Sequence, residues 1–335
     1  MGTASKITIS DIARRANVSK STVSRVLNGT TAVNEKKRTA VLEAVAELNY
    51  QPNFMARGLA GGQSLTIGVL TQNITSPHND HVLRGILMSL RGSKYSPIFA
   101  DGDWQQEQEQ QAIQTLLARQ VDGLVIFGGE TPDEALCRLA EQTPLVVVGR
   151  NIPELPNQCL WIDNFQGAYD ATRYLIELGH ERIVHITGRL SHIDAFERRE
   201  GYLQALRDYN IAFDDDLMVE GNFLERSGVM AVETLLLRGR PFSAIFAGND
   251  QMAYGARLAF FRRGIRIPEE ISIVGFDDLA GSAYMTPPLT TVRQPAEELG
   301  TAAAQALLNM LADKPVDVSP LSASLVVRES VARYR

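Results

Sequence analysis

Hydrogen-bonding and cationic side chains are concentrated near the N-terminus in a pattern that suits contact with nucleic acid. Lys20 and Ser21 lie in the first turn of a predicted helix, and Arg25 follows one turn later on the same general face. Side chains there can reach base edges, and an arginine that pairs with guanine through two hydrogen bonds provides about 1–3 kcal/mol of discrimination. Neighbouring hydroxyl and amide groups are typical of phosphate contacts, which set register without reading sequence. These groups are Thr8, Ser19, Thr22, Ser24 and Asn28.

Two short helices must position these side chains. Thr8 and Asp11 form a capping box, with a hydroxyl at the N-cap and a carboxylate three residues later. Residues 17–19 form a tight turn, and Ser19 caps the next helix. A short turn between two helices predicts a helix-turn-helix, whose second helix can lie in the major groove. The apolar faces are Ile12, Ala13 and Ala16 in the first helix and Val23, Val26 and Leu27 in the second.

A third helix completes the predicted head. Asn34 caps it, Glu35 lies in its first turn, and apolar residues then recur with helical period at Val41, Leu42, Val45 and Leu48. Residues 1–60 carry nine lysines or arginines against four acids, a net charge of +5. Because the whole chain is −6, the remaining 275 residues carry −11. A basic head on an acidic body concentrates the attraction for phosphate in one place.

Residues 51–63 form a predicted linker. Pro52 ends the preceding helix, and Asn53 can cap a short helix over residues 54–60. So short a helix is marginal alone, so we expect it to fray in the free protein and to form on DNA. Arg57 lies in this helix and is a candidate for contacts to the adjacent DNA backbone or bases.

After Ser64, short apolar runs alternate with longer amphipathic stretches. Strands that alternate with helices predict parallel sheets covered on both faces. So many units exceed one sheet, which predicts two similar α/β lobes. The apolar runs are 65–70, 97–100, 123–127, 145–148, 183–186, 244–247 and 272–276, and the amphipathic stretches include 106–119, 166–178, 226–237 and 253–263.

Polar side chains follow two of these predicted strands. Asn249 lies just past the strand 244–247, and Asp277 lies just past the strand 272–276. Open α/β sheets bind ligands at the carboxyl ends of their strands. Asn249 and Asp277 are therefore candidates for contacts to a small polar ligand.

Several segments resemble the lactose-repressor/galactose-repressor (LacI/GalR) family of bacterial transcription regulators. The resemblance extends from about residue 6 to about residue 330, and its head motif is highly specific. The matching segments are 8–13, 18–28 and 48–53 in the head and 249–250, 267–278 and 288–292 in the body.

The resemblance implies a fold and an organisation. The fold is an N-terminal all-α helix-turn-helix head plus a periplasmic-binding-protein-like α/β body of two doubly wound parallel-sheet lobes. The DNA-binding domain would span 1–50, the hinge helix and linker 51–63, and the effector-binding and dimerisation domain 64–335. Within that domain the first lobe would comprise about 64–163 and 293–321, and the second about 164–290 and 322–335.

The resemblance also implies a function. The chain would be a transcriptional repressor that binds a near-palindromic double-stranded DNA operator as a homodimer, because one such head covers a single half-site. A small-molecule effector, most simply a sugar, would bind between the lobes and shift the population of two states. Release from DNA and retention on it are both compatible with this scheme.

Residue roles follow where the motifs match. In the head, Lys20, Ser21 and Arg25 match the family's base-reading positions. Leu59 matches its minor-groove wedge, an apolar side chain inserted between base steps.

In the body, Arg198 matches the arginine that points into the family's cleft, with Arg199 as the alternative. Phe223 matches an aromatic wall of the cleft. Gln294 matches a polar group supplied from a segment that crosses between the lobes.

One effector segment departs from the family pattern. Relatives commonly carry two aromatic residues where this chain has His78 and Asn79. This polar pair argues against a purine corepressor and suits a hydroxyl-rich or charged ligand. Asp101, Asp103 and Trp104 follow another first-lobe strand and are candidates to compensate for the missing rings, and a lid or a surface position suits Trp104 equally.

Other classes of protein lack their motifs here. No dinucleotide loop, Walker loop, zinc-protease helix or nucleophile elbow is present, so we expect no enzyme and no catalytic residue. The five histidines and two cysteines lack metal-ligand spacing, so we expect no metal and no cofactor.

The sequence also predicts the cellular compartment, and it leaves two alternative functions open. No apolar run approaches membrane-spanning length and the N-terminus has no signal-peptide core, which predicts a cytoplasmic protein without a membrane partner. Two alternatives stay open: a sensor of a non-sugar polar effector, and a sugar-binding protein without a role on DNA.

Overall fold

The computed structural model describes residues 7–28, 33–50 and 63–334. The chain divides into two compact units, Met1–Ser64 and Leu65–Arg335. The first unit, the head, contains helices α1 (Ile9–Arg15), α2 (Lys20–Asn28) and α3 (Glu35–Glu47). The predicted hinge helix over 54–60 lies outside the described residues.

The predicted caps of the three head helices are confirmed. The backbone N–H and the hydroxyl of Thr8 both donate to Asp11 Oδ2, at 3.0 and 2.7 Å. Ser19 Oγ accepts from the backbone N–H of Thr22 at 3.2 Å. Asn34 Oδ1 accepts from the N–H of Lys36 at 3.0 Å. Each cap satisfies a backbone donor that the helix itself leaves unpaired.

The inner face of α3 differs from the predicted one at a single position. The head closes on a small core of Ile12, Ala13, Val23, Val41 and Ala44. Leu42, predicted on the apolar face, is 49% exposed. One residue along a helix is a rotation of about 100°, so Leu42 points away from the face that Val41, Ala44, Val45 and Leu48 share.

The body contains two parallel sheets, and the predicted fold class is confirmed. In the described part of the chain, strands β1 to β5 form the first sheet in the order β2-β1-β3-β4-β5, all parallel. Strands β6 to β11 form the second in the order β11-β10-β9-β8-β6-β7, parallel except for the pair β10 and β11. The strands are β1 (Thr66–Thr71), β2 (Ser96–Asp101), β3 (Gly123–Phe127), β4 (Leu145–Val148), β5 (Cys159–Leu160), β6 (Ile183–Thr187), β7 (Met218–Glu220), β8 (Ala244–Ala247), β9 (Ser272–Asp277), β10 (Thr290–Arg293) and β11 (Ser324–Val326).

Helices cover both faces of each sheet, as parallel sheets require. Helices α4 and α11 pack on one face of the first sheet and α5 and α6 on the other. Helices α9 and α10 pack on one face of the second sheet, and α7 and α8 pack on the other. The body helices are α4 (Pro77–Leu90), α5 (Gln106–Ala118), α6 (Asp133–Ala140), α7 (Asn164–Glu177), α8 (Ile193–Asp208), α9 (Glu225–Arg238), α10 (Asp250–Arg262) and α11 (Ala296–Met310).

The chain crosses between the two lobes three times. It leaves the first sheet after β5 and enters α7, returns from β10 into α11, and crosses again to β11. A parallel bridge between Ile162 and Leu321 lies beside the first and third crossings. The exact lobe boundaries given above stay predictions. Among the described residues, no helix combines the length and apolar composition needed to cross a bilayer.

Candidate functional site

The start of α2 is held by a small cluster of hydroxyl groups. Ser19 Oγ lies 2.8 Å from Ser21 Oγ and 2.9 Å from Thr22 Oγ1, besides capping the helix. Val23 is fully buried in the head core and fixes the inner side of the helix. This arrangement leaves the opposite side of the first turns at the surface, where a helix N-terminus attracts anions.

The predicted DNA contacts that the structure describes are mostly exposed. Lys20, Ser21 and Arg25 are exposed, as are Thr8 and Ser19, whereas Thr22 and Ser24 are half-buried. For Asn28 only the backbone is described, as the last residue of α2. Asn53, Arg57 and Leu59 lie outside the described residues.

A cleft between the two lobes contains two adjoining cavities of about 510 and 460 Å³. The second cavity brings together all seven predicted effector residues, His78, Asn79, Arg198, Phe223, Asn249, Asp277 and Gln294. Side chains of both lobes line both cavities, so they form one continuous space. The shared residues are Gln72, His78, Asn79, Trp104, His192, Asp194, Arg198 and Gln294.

Arg198 projects from α8 into this cleft and is almost fully buried. Its guanidinium lies 3.9 Å from the centroid of the Phe276 ring, and it donates to Asn164 Oδ1 at 2.9 Å and to the carbonyl of Gly248 at 2.6 Å. Asp194 and Asp277 each approach it to 4.0 Å. Buried cations need such partners. Arg199, the alternative, instead pairs with Glu200 outside the cleft lining.

Asn249 and Phe223 hold each other in place. Asn249 caps α10 by accepting from the N–H of Met252 at 2.9 Å, and its amide donates to the carbonyl of Phe223 at 2.9 Å. Phe223 has a left-handed backbone, with φ of +67°. A Cβ at Gly188 would lie 2.0 Å from its ring, so only glycine leaves room for the aromatic wall at this place.

Asp277 faces the crossing segment and the first lobe. Gln294 donates to its Oδ1 at 2.6 Å, and Arg198 lies at 4.0 Å. Burial raises the pKa of Asp277, while the neighbouring charges of His78 and Arg198 oppose that shift. The carboxylate therefore already has a donor and still faces the cavity.

The polar pair His78 and Asn79 opens α4. Asn79 Nδ2 donates to the carbonyls of Gln72 and Asn73, which ties the helix start to the end of β1. Burial lowers the pKa of His78, and the neighbouring charge of Asp277 opposes that shift. Both residues line the cleft, His78 with a polar imidazole and Asn79 with an amide.

Behind the first-lobe wall lies a fully buried carboxylate, Glu109. It accepts from the N–H groups of Glu130 and Thr131 at 2.9 and 2.8 Å and from the Thr131 hydroxyl at 2.5 Å. Arg150 donates to the carbonyls of Gly129 and Thr131 and to Asp133. Glu109 and Arg150 thus hold the loop after β3 from opposite sides.

Trp104 connects the two lobes across the cleft. Its ring stacks on His192 of the second lobe, with centroids 4.0 Å apart and planes 13° apart, and His192 lies 6.1 Å from Phe223. Asp103 and Trp104 both have left-handed backbones, with φ of +48° and +53°. Trp104 is therefore a first-lobe ring that lies inside the cleft.

Sequence reasoning missed most of the first-lobe wall. Gln72 follows β1, Glu130 follows β3 and Arg150 follows β4, so the rule applied to Asn249 and Asp277 would have found them. On α8, Asp194 lies one turn before Arg198, and Glu197 lies directly before it. The spacing of four residues could have shown that Asp194 shares a helix face with Arg198.

Comparison with known proteins settles the family. Residues 8–53 match the model of bacterial regulatory proteins of the lacI family, and residues 64–321 match that of periplasmic binding proteins and the sugar binding domain of the LacI family. The chain belongs to the LacI family.

Individual LacI-family proteins resemble it over nearly the whole length. The ribose operon repressor of Haemophilus influenzae is 37% identical over 97% of this chain and 98% of its own. The transcriptional regulator GalR of Escherichia coli is 37% identical over 97% and 96%. The lac repressor dimer bound to operator and the anti-inducer ONPF superposes with a TM-score of 0.88 at 31% identity, over 97% and 99% of the two chains.

The LacI-family relatives are repressors and regulators of transcription. The chain is accordingly a non-enzymatic, DNA-binding regulator with a helix-turn-helix head and a periplasmic-binding-protein-like body that takes a small-molecule effector.

Proposed function

We propose that this chain represses transcription by binding a near-palindromic operator as a homodimer, under the control of a saccharide in the cleft. The observation that carries the proposal is the exposed first turns of α2, where Lys20, Ser21 and Arg25 share the surface of a basic head. A protein that binds chromosomal DNA in this way works in the cytoplasm.

The dimer is supported by apolar surface on the second lobe. Leu258 and Phe261 on α10 are 43% and 80% exposed, and they line a groove of about 670 Å³ together with Ile265, Met285 and Pro287. Monomeric proteins seldom expose contiguous apolar patches of this kind. The solved lac repressor that this chain resembles is a dimer on its operator. A second copy is the proposed occupant of this groove.

The saccharide is supported by the chemistry of the cleft. A sugar needs donors and acceptors for its hydroxyls and a ring for its C–H face. Arg198, Asp277 and Gln294 provide the first, and Trp104 and Phe223 provide the second. The ribose operon repressor of Haemophilus influenzae, by its name, regulates an operon for a sugar.

Selection from random duplexes tests the DNA half of the proposal. We expect the full-length protein to enrich a two-fold symmetric sequence. Arg25→Ala should weaken binding to that sequence about 10- to 100-fold at fixed salt, and binding to random duplex only a few-fold. Arg91→Ala removes an exposed arginine of the body and should change neither. Absence of enrichment, or equal weakening on both duplexes, would contradict the proposal.

A further inference from the structure

We propose that the effector is an uncharged polyhydroxylated molecule, and that the cleft rejects phosphorylated or carboxylated forms of the same compound. This inference rests on the proposed function, because it names the class of effector for the same cleft. It is carried by the charges that line the two cavities, by how the arginines are already bonded, and by unpaired polar atoms.

The cavity walls are acidic. Six carboxylate side chains line the two cavities, against three arginines. The two histidines add little positive charge to this lining, because burial lowers the pKa of both His78 and His192. Burial raises the pKa of Glu197 and Asp277, yet the other four carboxylates still outnumber the three arginines, so an anion entering this space meets more negative than positive groups. The carboxylates are Asp103, Glu130, Asp133, Asp194, Glu197 and Asp277, and the arginines are Arg150, Arg189 and Arg198.

Two of the three arginines are already engaged by the protein. Arg198 lies between Asp194 and Asp277 and donates to Asn164 and the Gly248 carbonyl. Arg150 donates to two loop carbonyls and pairs with Asp133. Arg189 is exposed at the edge of the second cavity. A phosphate at either inner guanidinium would lie beside the carboxylates that already flank it, Asp194 and Asp277 at Arg198 and Asp133 at Arg150.

Among the described residues, three that line both cavities carry a buried polar atom without a protein partner. Within the described part of the chain, Gln72 Nε2, His192 Nδ1 and Asp194 Oδ1 are buried atoms with no hydrogen-bond partner. Gln72 and His192 are more than nine-tenths buried and line both cavities. Buried polar atoms of this kind are normally paired. These atoms are themselves buried, so a side-chain rotation must bring each of them to the cavity, where a ligand hydroxyl, which both donates and accepts, can pair with it.

Matched pairs of sugars test the proposal on the full-length protein. The panel contains D-ribose, D-glucose, D-galactose and D-fructose, each beside its monophosphate, with gluconate as a carboxylate. Binding is measured by thermal shift and then by calorimetry. We expect at least one neutral sugar to bind, with a Kd at least about tenfold below that of its phosphate. A phosphate or gluconate that binds as tightly as its parent sugar, or a panel without a neutral binder, would overturn the inference.

The selected duplex separates this failure from failure of the proposed function. If the protein binds its duplex with Arg25-dependent specificity and a sugar phosphate changes that binding, the regulator stands and the charge inference falls. If no specific duplex is found, the proposed function itself falls.

Charge-neutral variants sharpen the test. Asp194→Asn combined with Glu197→Gln should raise the affinity for the phosphate of the best sugar about tenfold or more relative to the sugar itself. Glu181→Gln is the matched control, because Glu181 is exposed and lies outside both cavity linings. An unchanged ratio in the double variant, with its melting temperature close to that of the wild type, would contradict electrostatic exclusion.

Discussion

The two lobes of the body share one architecture, yet the wall of the cleft contains a buried cation in one lobe and is supported by a buried anion in the other. In the second lobe the ion is Arg198, which lies on Phe276 and faces the cavity. In the first lobe it is Glu109, whose three bonds go to the loop at Glu130 and Thr131. Glu109 does not line the cavities; it lies behind the loop that it holds.

The two buried ions are expected to have different roles, one in the stability of the fold and the other in binding of the effector. A carboxylate whose acceptor sites are used by the backbone shapes a wall, whereas a guanidinium with five donors can bind the protein and still offer donors to a ligand. We therefore expect changes in the first lobe to act mainly on folding and changes at Arg198 to act mainly on the effector.

The largest effect should come from Glu109→Ala. It leaves three donors without their acceptor in a buried place, each costing about 1–3 kcal/mol, so the free energy of unfolding should fall by about 4 kcal/mol or more. Urea unfolding measures it. Glu107→Ala, an exposed glutamate two residues earlier on α5, is the control and should leave the midpoint unchanged. An equal loss of unfolding free energy in both variants would mean that the buried Glu109 stabilises the first lobe no more than an exposed glutamate does.

The second lobe also holds a buried acid, and it should make stability depend on pH. Burial, and secondarily Asp277, raises the pKa of Asp250 to about 7, against opposing hydrogen bonds from Ser282 and Thr291. The folded state keeps a proton that the unfolded chain releases near pH 4. The raised pKa therefore adds about 3–4 kcal/mol to the free energy of unfolding below pH 4, and this stabilisation is lost as the pH rises through 7.

Asp250→Asn tests that pH dependence, because an amide resembles the protonated acid. The variant should show a weaker fall of unfolding free energy between pH 4 and 7 than the wild type, measured by urea titrations across that range. Asp317→Asn, at an exposed position, should keep the wild-type slope. Identical slopes for all three proteins would mean that Asp250 titrates as in the unfolded chain.

Arg198→Ala should lower affinity for the best neutral sugar of the panel about 10- to 100-fold, because its charge-assisted donors face the cavity. Calorimetry with that sugar is the measurement. The adjacent Arg199→Ala removes the same kind of side chain from outside the cleft lining and should bind as the wild type does. A sugar that binds both variants equally well would place the effector elsewhere.

The smallest effect concerns the contact between the lobes. A double-mutant cycle of Trp104→Ala and His192→Ala should give a coupling energy of about 0.5–1.5 kcal/mol in unfolding experiments, as expected for stacked rings. Phe223→Ala combined with Trp104→Ala is the comparison, since no stacking joins those two rings directly in the described contacts. Coupling near zero for the first pair would mean that the stack does not hold the lobes together.

The fold was largely predictable because its signals are local. The capping residues Ser19 and Asn34 mark where helices begin, and the apolar runs ending at Phe127 and Ala247 coincide with strands. Parallel strands buried on both faces leave such continuous runs. The error at Leu42 arose because the neighbouring apolar residues do not reveal by themselves which side of α3 faces the core.

The site was predictable in part, and there is a physical reason why some of its residues could be predicted and others could not. Asn249 follows β8, Asp277 is the last residue of β9 and not the residue after a strand as predicted, and Arg198 matched a motif. Glu109 lies in the polar stretch at the start of α5 and has the sequence pattern of a solvated helix, because its partners are 21 and 22 residues away in the chain. The Trp104 stack depends on two left-handed residues and on a partner in the other lobe.

Fluorescence anisotropy of the selected duplex, titrated with the best neutral sugar, tests the central claim most directly. The account predicts that the sugar changes the operator affinity of the wild type by about fivefold or more in one direction, a coupling of at least about 1 kcal/mol. Arg198→Ala should bind the same duplex with wild-type affinity and fail to respond. An operator affinity that no sugar alters, or one that the sugar alters equally in wild type and Arg198→Ala, would contradict the account.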